Sequence, residues 1–301
     1  MKRLIATIVL LCFFALNVFA QNTIYLGVGS NISKSAEMQK TAEELAQYLS
    51  EKLGVQVKLN SLKPGKTIEQ IQEGKLDIAL MNTFGYVIAS SEANMEALVV
   101  VANEKKEPIS YQSCILAHPS TKIKTTTDLK KEATHHIFGF VTASSTSGHL
   151  VPRLYLNKQD LQPEISFRDV IFAGSHKDLI EKVSKNEIKV GATSYTDLEE
   201  LVKAGKYQMA MFNVVWTSEP ITNGPVSVRK DLNPVLKKKL QEIWLNLPTD
   251  NPTLNAKVVK FWHNTSASSL YIPAQDKFYD SIRNMANSME EISVLVGLYS
   301  E

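Results

Sequence analysis

The chain has 301 residues, of which 44% are hydrophobic and 21% are charged, a composition typical of a folded globular protein. It carries 33 basic and 31 acidic side chains, and removal of Lys2 and Arg3 leaves 31 of each. Nucleic-acid-binding proteins have a basic surplus that this chain lacks, so we predict no nucleic-acid partner.

The first twenty residues have the pattern of an export signal. A short positive segment precedes an apolar run from Leu4 to Leu16, and Val18-Phe19-Ala20 fits the small-residue cleavage rule. The apolar run is shorter than the roughly 20 residues that a membrane-spanning helix needs, which makes a membrane anchor the weaker alternative. We therefore expect residues 1–20 to be a signal peptide that is cleaved after Ala20.

The mature chain alternates strand-like and helix-like segments. After the strand-like "TIYLGVG", apolar residues recur at helical spacing from Met38 to Leu53, and "VQVKLN" then has the period of a strand. The pattern continues through the strand-like segments "LDIALMN", "ALVVVAN", "SYQSCILAH", "HHIFGFV" and "IKVGATS", with helix-like segments between several of them. Such alternation predicts an α/β fold, with parallel strands covered by helices on both faces.

Small polar residues stand at three predicted strand-to-helix junctions: Asn82-Thr83, the hydroxyl cluster Ser144–Ser147, and Ser175-His176. Ligands of parallel sheets bind beyond the carboxyl ends of the strands, where the amino ends of helices point. Within the cluster, the hydroxyls of Ser145, Thr146 and Ser147 add neutral donors to the free N–H groups of a first helical turn.

This donor set suits a tetrahedral oxyanion, and Gly148 is expected to let a ligand approach the backbone closely. The alternative is that the hydroxyls only cap a helix, as serine and threonine commonly do. The pattern by itself leaves both interpretations open.

No motif indicates catalysis or metal binding. Ser145 lacks the first glycine of a G-x-S-x-G elbow, and phosphate-loop, dinucleotide and zinc-helix motifs are absent from the sequence. His135 and His136 are adjacent on a predicted strand and would point to opposite faces. The single mature cysteine, Cys114, excludes an internal disulfide and is expected to be a buried thiol. We predict no enzyme activity, no metal and no cofactor.

Five segments together resemble the periplasmic substrate-binding proteins of ABC transporters for phosphate, phosphite and phosphonates. They are "SSTSGHLVPRLYL", "EGKLDIALMNTFGYVIA", "FAGSHKDLIEKVSKNEIKVGAT", "VVWTSEPITNGPVSVRKDLNP" and "YIPAQDKFYDSIRNMANSM". The likeness covers nearly the whole mature chain. The S-T-S-G and G-S-H segments are specific in combination, whereas either alone would be weak.

The resemblance implies a two-lobed fold of the type II periplasmic-binding class, with the ligand in a cleft between the lobes. We expect lobe 1 to comprise residues 21–114 plus 217–301, and lobe 2 to comprise residues 115–216. The crossings between the lobes are expected near residues 111–116 and 214–218.

The resemblance also implies which residues bind the ligand. Ser145, Thr146 and Ser147 match the oxyanion-binding hydroxyls of the family, His176 matches its ligand-facing histidine, and Tyr111 matches a tyrosine beside the hinge. The predicted ligand-binding set is Ser145, Thr146, Ser147, Gly148, His176, Tyr111, Asn82, Thr83 and Ser194.

Two positions depart from the family pattern. Ser194 stands about where relatives that bind aminoalkyl phosphonates commonly have an aspartate, while Asp197 lies further along the predicted helix. His149 replaces a common aromatic residue. These departures disfavour an aminoalkyl phosphonate and leave phosphate, phosphite or another small ligand open.

The function implied by the resemblance is that of a monomeric periplasmic receptor. It would close around a small phosphorus oxyanion and deliver it to an ABC permease in the inner membrane. The alternative is a ligand-sensing module presented to a signalling partner. An exported enzyme on the same scaffold is the third and least favoured hypothesis.

Overall fold

The structure is a computed structural model that describes residues 23–28, 35–61, 66–263, 265 and 268–286. The predicted signal peptide lies outside these residues. The described strands are β1 (Thr23–Val28), β2 (Gln56–Ser61), β3 (Ile78–Leu80), β4 (Met95–Ala102), β5 (Ser110–Tyr111), β6 (Ser113–Ala117), β7 (Ile137–Phe140), β8 (Asp169–Phe172), β9 (Val190–Ser194), β10 (Asn213–Thr217), β11 (Ile221–Thr222), β12 (Val226–Arg229) and β13 (Leu270–Pro273).

Helices cover both faces of these strands. The described α-helices are α1 (Ala36–Leu53), α2 (Thr67–Gln72), α3 (Thr83–Glu92), α4 (Thr126–Glu132), α5 (Val151–Lys158), α6 (Pro163–Ser166), α7 (His176–Ser184), α8 (Tyr195–Lys203), α9 (Pro234–Asp250), α10 (Pro252–Val258) and α11 (Asp280–Arg283). Short 3-10 turns occur at Pro119–Thr121, Ala133–His135, Met209–Met211 and Asp276–Tyr279, and π-helical turns at Thr146–Leu150 and Val259–His263. Because β7 begins at Ile137, His135 and His136 precede the strand on which the sequence placed them.

Two separate sheets have the same internal order. The first runs β2-β1-β3-β12-β4 and ends with β13, and the second runs β8-β7-β9-β6-β10. In the first sheet β1 pairs in parallel with β2 and β3, and in the second β7 pairs in parallel with β8 and β9. The fourth strand of each order, β12 or β6, is antiparallel to both of its neighbours.

The chain therefore crosses twice between two α/β lobes. It leaves the first sheet after β4 to form β6 in the second sheet, and it returns after β10 to form β12 in the first. The antiparallel strand of each large sheet, β6 or β12, is thus the first strand of that sheet to follow a crossing. The predicted two-lobed α/β architecture is confirmed.

A two-stranded sheet joins the crossings. β5 pairs antiparallel with β11, and Tyr111 lies opposite Ile221. The predicted lobe limits, after residue 114 and before residue 217, fall within β6 and β10, which both belong to the second sheet. We propose that the lobes divide at the β5–β11 pair instead, because among the described strands this pair belongs to neither of the two large sheets and joins the two crossings.

Helix α1 shows how the first lobe is built. Ser35 caps its amino end by accepting a hydrogen bond from the Met38 N–H, and Gly54, with φ of 75°, ends it in the left-handed conformation. The helix buries Leu45 and Leu49 in the same core as Trp244 of α9. Each fully buried leucine contributes roughly 1.5–3 kcal/mol, so this packing holds the first sheet rigid behind the cleft.

Candidate ligand-binding site

The three polar junctions predicted from the sequence meet at the carboxyl ends of parallel strands. Asn82 follows β3 in the first lobe, the Ser144–Ser147 cluster follows β7, and His176 follows β8. Asn82 Nδ2 donates a hydrogen bond of 2.9 Å to the Ser144 carbonyl, which joins the two lobes directly. The oxygen of the same amide, Oδ1, accepts from the Gly85 N–H and caps α3.

The hydroxyl cluster opens a π-helical turn that leads into α5. Ser145 Oγ accepts a hydrogen bond of 3.0 Å from the Gly148 N–H, and the Ser145 carbonyl accepts from the Leu150 N–H. Single π turns within helices occur frequently at functional sites. Ser145 is therefore a cap, as one interpretation of the sequence proposed, and it shapes the loop that carries the other two hydroxyls.

Thr146 has a buried hydroxyl that lacks a well-aligned hydrogen bond. Its side chain is buried, and Oγ1 makes no hydrogen bond of good geometry to the described residues, although the Tyr111 phenol lies near enough to interact with it. Buried polar atoms in folded proteins are nearly always hydrogen-bonded, because an unsatisfied one costs about 1–3 kcal/mol. The orphaned hydroxyl therefore fits a site whose partner is a bound molecule.

Tyr111 lies beside this hydroxyl. Burial raises the pKa of Tyr111, while the nearby hydroxyls of Thr83 and Thr146 act in the opposite direction. Thr83 Oγ1 itself donates to the Thr222 carbonyl of β11 at 2.7 Å. Tyr111 is thus a neutral phenol that connects the β5–β11 sheet, α3 and the hydroxyl cluster.

Gly148 packs closely against Val141. A Cβ atom at this position would collide with Val141, with the Val141 Cβ only 2.5 Å away. The Gly148 carbonyl accepts from the Val141 N–H and its own N–H is occupied by Ser145. Glycine is therefore required for the close packing against Val141, which directly follows β7, and contact of Gly148 with a ligand stays a prediction.

His176 is held as a neutral hydrogen-bond donor. The Ser194 N–H donates to His176 Nδ1 at 3.0 Å, and Thr193 Oγ1 lies 2.9 Å from the same nitrogen. Since Nδ1 accepts, the neutral ring carries its proton on Nε2. Burial lowers the pKa of His176, although the Asp197 carboxylate opposes the shift. His176 therefore offers an uncharged Nε2–H.

Ser194 supports this histidine and caps α8. Its Oγ accepts from the Asp197 N–H at 3.1 Å and donates to Asp197 Oδ1 at 3.0 Å. Because its hydroxyl is used in this cap, the backbone N–H is the group through which Ser194 acts on the site. Direct contact of Ser194 with a ligand remains a prediction.

Sequence reasoning missed two supporting residues. Thr193 contacts His176, and Ser113 Oγ donates to the Ser147 carbonyl at 2.6 Å. Both lie on the paired strands β6 and β9, where Ser113 is opposite Ser194 and Cys114 is opposite Thr193. No local pattern identifies them, because their role depends on this pairing over about 80 residues of chain.

A cavity of about 320 Å³ lies elsewhere on the first lobe, at the turn after β4. It is lined by Asn103, Glu104, Lys105, Ile109, Ser268 and Ser269. It includes none of the predicted binding residues. The predicted binding residues lie instead at the junctions between the lobes, with the Thr146 hydroxyl and the neutral donors.

Comparison with known proteins identifies the family of this two-lobed chain. The family model of ABC transporter, phosphonate, periplasmic substrate-binding proteins matches residues 31–278. The chain belongs to this family. In the part of the chain that the structure describes, no helix is both long enough and apolar enough to cross a membrane.

Individual relatives agree with the family assignment. The phosphonates-binding periplasmic protein of Escherichia coli strain K12 is 24% identical over 201 residues, which are 66% of this chain and 59% of that protein. The alignment therefore spans less than two thirds of that relative.

Two solved structures share the fold of this family member. A binding protein component of an ABC phosphonate transporter from Pseudomonas aeruginosa has a TM-score of 0.68 at 22% identity, covering 92% of this chain and 89% of that one. PhnD1 from Prochlorococcus marinus, in complex with methylphosphonate, has a TM-score of 0.65 at 19% identity, covering 88% and 97%. The predicted type II periplasmic-binding fold is confirmed.

The contact between the lobes gives a first testable prediction. Asn82→Ser keeps a side-chain oxygen that can cap α3 but removes the donor to the Ser144 carbonyl. One net hydrogen bond contributes about 0.5–1.5 kcal/mol, so we expect ligand affinity to fall by about three- to tenfold. Calorimetric titration measures the affinity, and unfolding without ligand should show a loss of stability no larger than the same roughly 0.5–1.5 kcal/mol. Equal affinity of the two proteins would show that this contact does not contribute to binding.

Proposed function

We propose that the protein is the periplasmic receptor of an ABC transporter and that it binds a small phosphorus oxyanion, a phosphonate, phosphite or phosphate, between its lobes. The orphaned hydroxyl of Thr146 carries this proposal, because it lies beside Tyr111 where the hinge, the first lobe and the second lobe meet. Family membership supports the same class of ligand.

The donors of the site suit an oxyanion. Thr146 and Tyr111 offer hydroxyls, and His176 offers a neutral Nε2–H. Hydrogen bonds to a charged group contribute about 1.5–3 kcal/mol each, so a few such donors can hold an anion without an opposite charge. The family's other implied ligand residues, Ser145, Ser147 and Ser194, support the loop, the strand pair and the His176 ring through the contacts described above.

Closure of the lobes would capture the ligand. The β5–β11 pair is a short connection that can act as a hinge, and the bond between Asn82 and Ser144 joins the lobes on the ligand side. A ligand bridging Thr146 and the first lobe would favour this arrangement over an open one. We propose that the closed protein, as a monomer, is what an inner-membrane permease recognises.

Transport rather than catalysis is the proposed role. The two histidines closest to the hydroxyl cluster are committed to other groups. His149 Nδ1 lies 2.6 Å from the Ala143 carbonyl, and His176 Nδ1 accepts from Ser194. Neither arrangement makes a base for a serine nucleophile. Cleavage after Ala20 and export to the periplasm are part of the same proposal.

Calorimetric titration of ligand-stripped mature protein tests this function. We expect saturable heat with at least one of methylphosphonate, phosphite and phosphate. Sulfate, a tetrahedral oxyanion without phosphorus, serves as the matched control and should bind more weakly. If none of the phosphorus compounds, including 2-aminoethylphosphonate, gives a binding isotherm, the proposed ligand class is wrong.

A further inference from the structure

A buried chain of polar groups lies directly behind the hydroxyl cluster. Arg153 of α5 is only 3% exposed, and its guanidinium binds both carboxylate oxygens of Glu164, at 2.7 and 2.5 Å. The Nε–H of the Arg153 guanidinium donates a hydrogen bond of 2.8 Å to His149 Nε2. His149 is completely buried and reaches the Ala143 carbonyl through Nδ1 at 2.6 Å.

The partners of His149 determine its tautomer. A carbonyl can only accept, so Nδ1 carries a proton and donates to Ala143. Arg153 Nε can only donate, so Nε2 of His149 is unprotonated. His149 is therefore a neutral Nδ1–H ring, whereas His176 is a neutral Nε2–H ring in the same site.

The polar chain ends at the loop that carries the site. Ala143 begins the segment Ala143–Ser147, whose other fixed points are the Ser144 carbonyl, held by Asn82, and Ser145, which caps the turn. Burying a charged arginine is costly unless its partners compensate. A buried arginine that is linked to the loop through a histidine indicates a role in orienting that loop.

We propose that Glu164, Arg153 and His149 are positioning residues, which hold the Ala143–Ser147 loop in the shape that binds the ligand. This inference rests on the proposed function of the site. Arg153 stabilises the unprotonated Nε2 of His149, His149 fixes the Ala143 carbonyl, and the carbonyl sets the position of the hydroxyls that follow it.

The charges around His149 make this role sensitive to pH. Among the described residues, the charged groups that act on the His149 ring are Arg153 of α5 and Glu164 of α6, while β7 and β8 present the apolar rings of Phe140 and Phe172. Burial lowers the pKa of His149 to about 4, the Arg153 charge adds to the lowering, and Ala143 and Glu164 oppose it. The ring is therefore neutral above about pH 5, and protonation below pH 4 places an Nε2–H against Arg153.

NMR spectroscopy of the full mature chain without ligand tests the positioning step. Imidazole nitrogen shifts should show the Nδ1–H tautomer for His149, and the amide signals of Ser144–Ser147 should follow its titration. Glu164→Gln should lower the titration midpoint and Arg153→Met should raise it, because the two charges act in opposite directions. Glu164 is half-exposed, so Glu164→Gln keeps the test valid if Arg153→Met does not fold.

Affinity for methylphosphonate at pH 7 tests the consequence for binding. His149→Leu removes the bond to Ala143 and should weaken affinity by about tenfold, whereas His149→Asn keeps a donor and should stay within about threefold. His135→Asn, at an exposed histidine of the same lobe, is the matched control and should bind like the parent.

The outcomes separate this inference from the proposed function. If the parent protein does not bind methylphosphonate or the other phosphorus oxyanions, the proposed function fails, and the ligand-free NMR titration still decides whether the loop follows His149. An Nε2–H tautomer, or loop amides that ignore the titration, would overturn the positioning role. Equal affinity of His149→Leu and the parent would overturn it as well.

Discussion

Thr146→Val should weaken binding of the phosphorus oxyanion by about 10- to 150-fold and leave the ligand-free protein at least as stable as the parent. The affinity loss corresponds to one hydrogen bond to a charged group, about 1.5–3 kcal/mol. Stability should not fall, because valine has nearly the same shape and removes a buried hydroxyl that makes no well-aligned hydrogen bond to the described residues.

Two measurements check this pair of expected effects: calorimetric titration for affinity and urea unfolding without ligand for stability. Ser145→Ala is the matched comparison on the same loop. It removes the bond to the Gly148 N–H and should lower stability by about 1 kcal/mol, as losses of helix caps do. A Thr146→Val protein that loses stability and keeps its affinity would show that the hydroxyl serves the fold and not the ligand.

Gly224→Ala should destabilise the protein by about 3 kcal/mol and weaken ligand binding. Gly224 lies where the second crossing returns to the first lobe, between β11 and β12. A Cβ atom there would collide with the Met81 carbonyl and would lie 2.7 Å from the Asn82 carbonyl carbon. These are backbone atoms that cannot rotate away as a side chain can. The loss of stability should therefore be near the upper end for an overpacked site. The displaced junction carries Asn82 and Thr83.

The control for this substitution is Gly205→Ala. Gly205 has a positive φ of 72°, and no atom lies within 4 Å of the position that a Cβ would take. Alanine there should therefore cost only about 1 kcal/mol of backbone strain. Urea unfolding compares the two variants, and titration of each with ligand separates the effect on the site. A Gly224→Ala protein as stable as Gly205→Ala would mean that the crossing can move away from Asn82.

Thr146→Val is expected to lower ligand affinity without lowering the stability of the free protein. This combination follows from a general property of binding sites. A donor that awaits a ligand is unsatisfied in the free protein, so it lowers stability until the ligand arrives. The hydroxyls with structural roles behave differently. Thr83 and Ser194 already have protein partners, and their removal should lower stability first.

Several elements of the site could be predicted because their signals are local. Asn82, Ser145, Ser175 and Ser194 are helix caps, and a small polar residue before a helical pattern is visible in the sequence. The alternation of strand and helix also places these caps at the carboxyl ends of parallel strands. Local signals predicted where the candidate site lies, but not which groups of each residue are free to bind.

Contacts across the fold decided how these residues act. Gly148 approaches Val141, Ser194 contributes its N–H to His176, and His149 is linked to Glu164 through Arg153. These partners lie on different elements, and their distances depend on how the strands pair and how the helices pack. In the sequence, His149 was only a departure from the family pattern that left the ligand undetermined. The structure shows its bond to Arg153, and on this bond we base its proposed role as a positioning residue.

The sequence by itself determined the α/β fold, the neutral charge balance and the three polar junctions, because periodicity and capping act over a few residues. Only the tertiary structure decided that the Asn82 junction meets the Ser144–Ser147 loop, that the Thr146 hydroxyl makes no well-aligned hydrogen bond to the described residues, and that β5 pairs with β11. The reason is physical. Burial and hydrogen-bond satisfaction are properties of an atom's whole surroundings, and at this site those surroundings are assembled from residues as far apart as the 139 positions between Thr83 and Thr222.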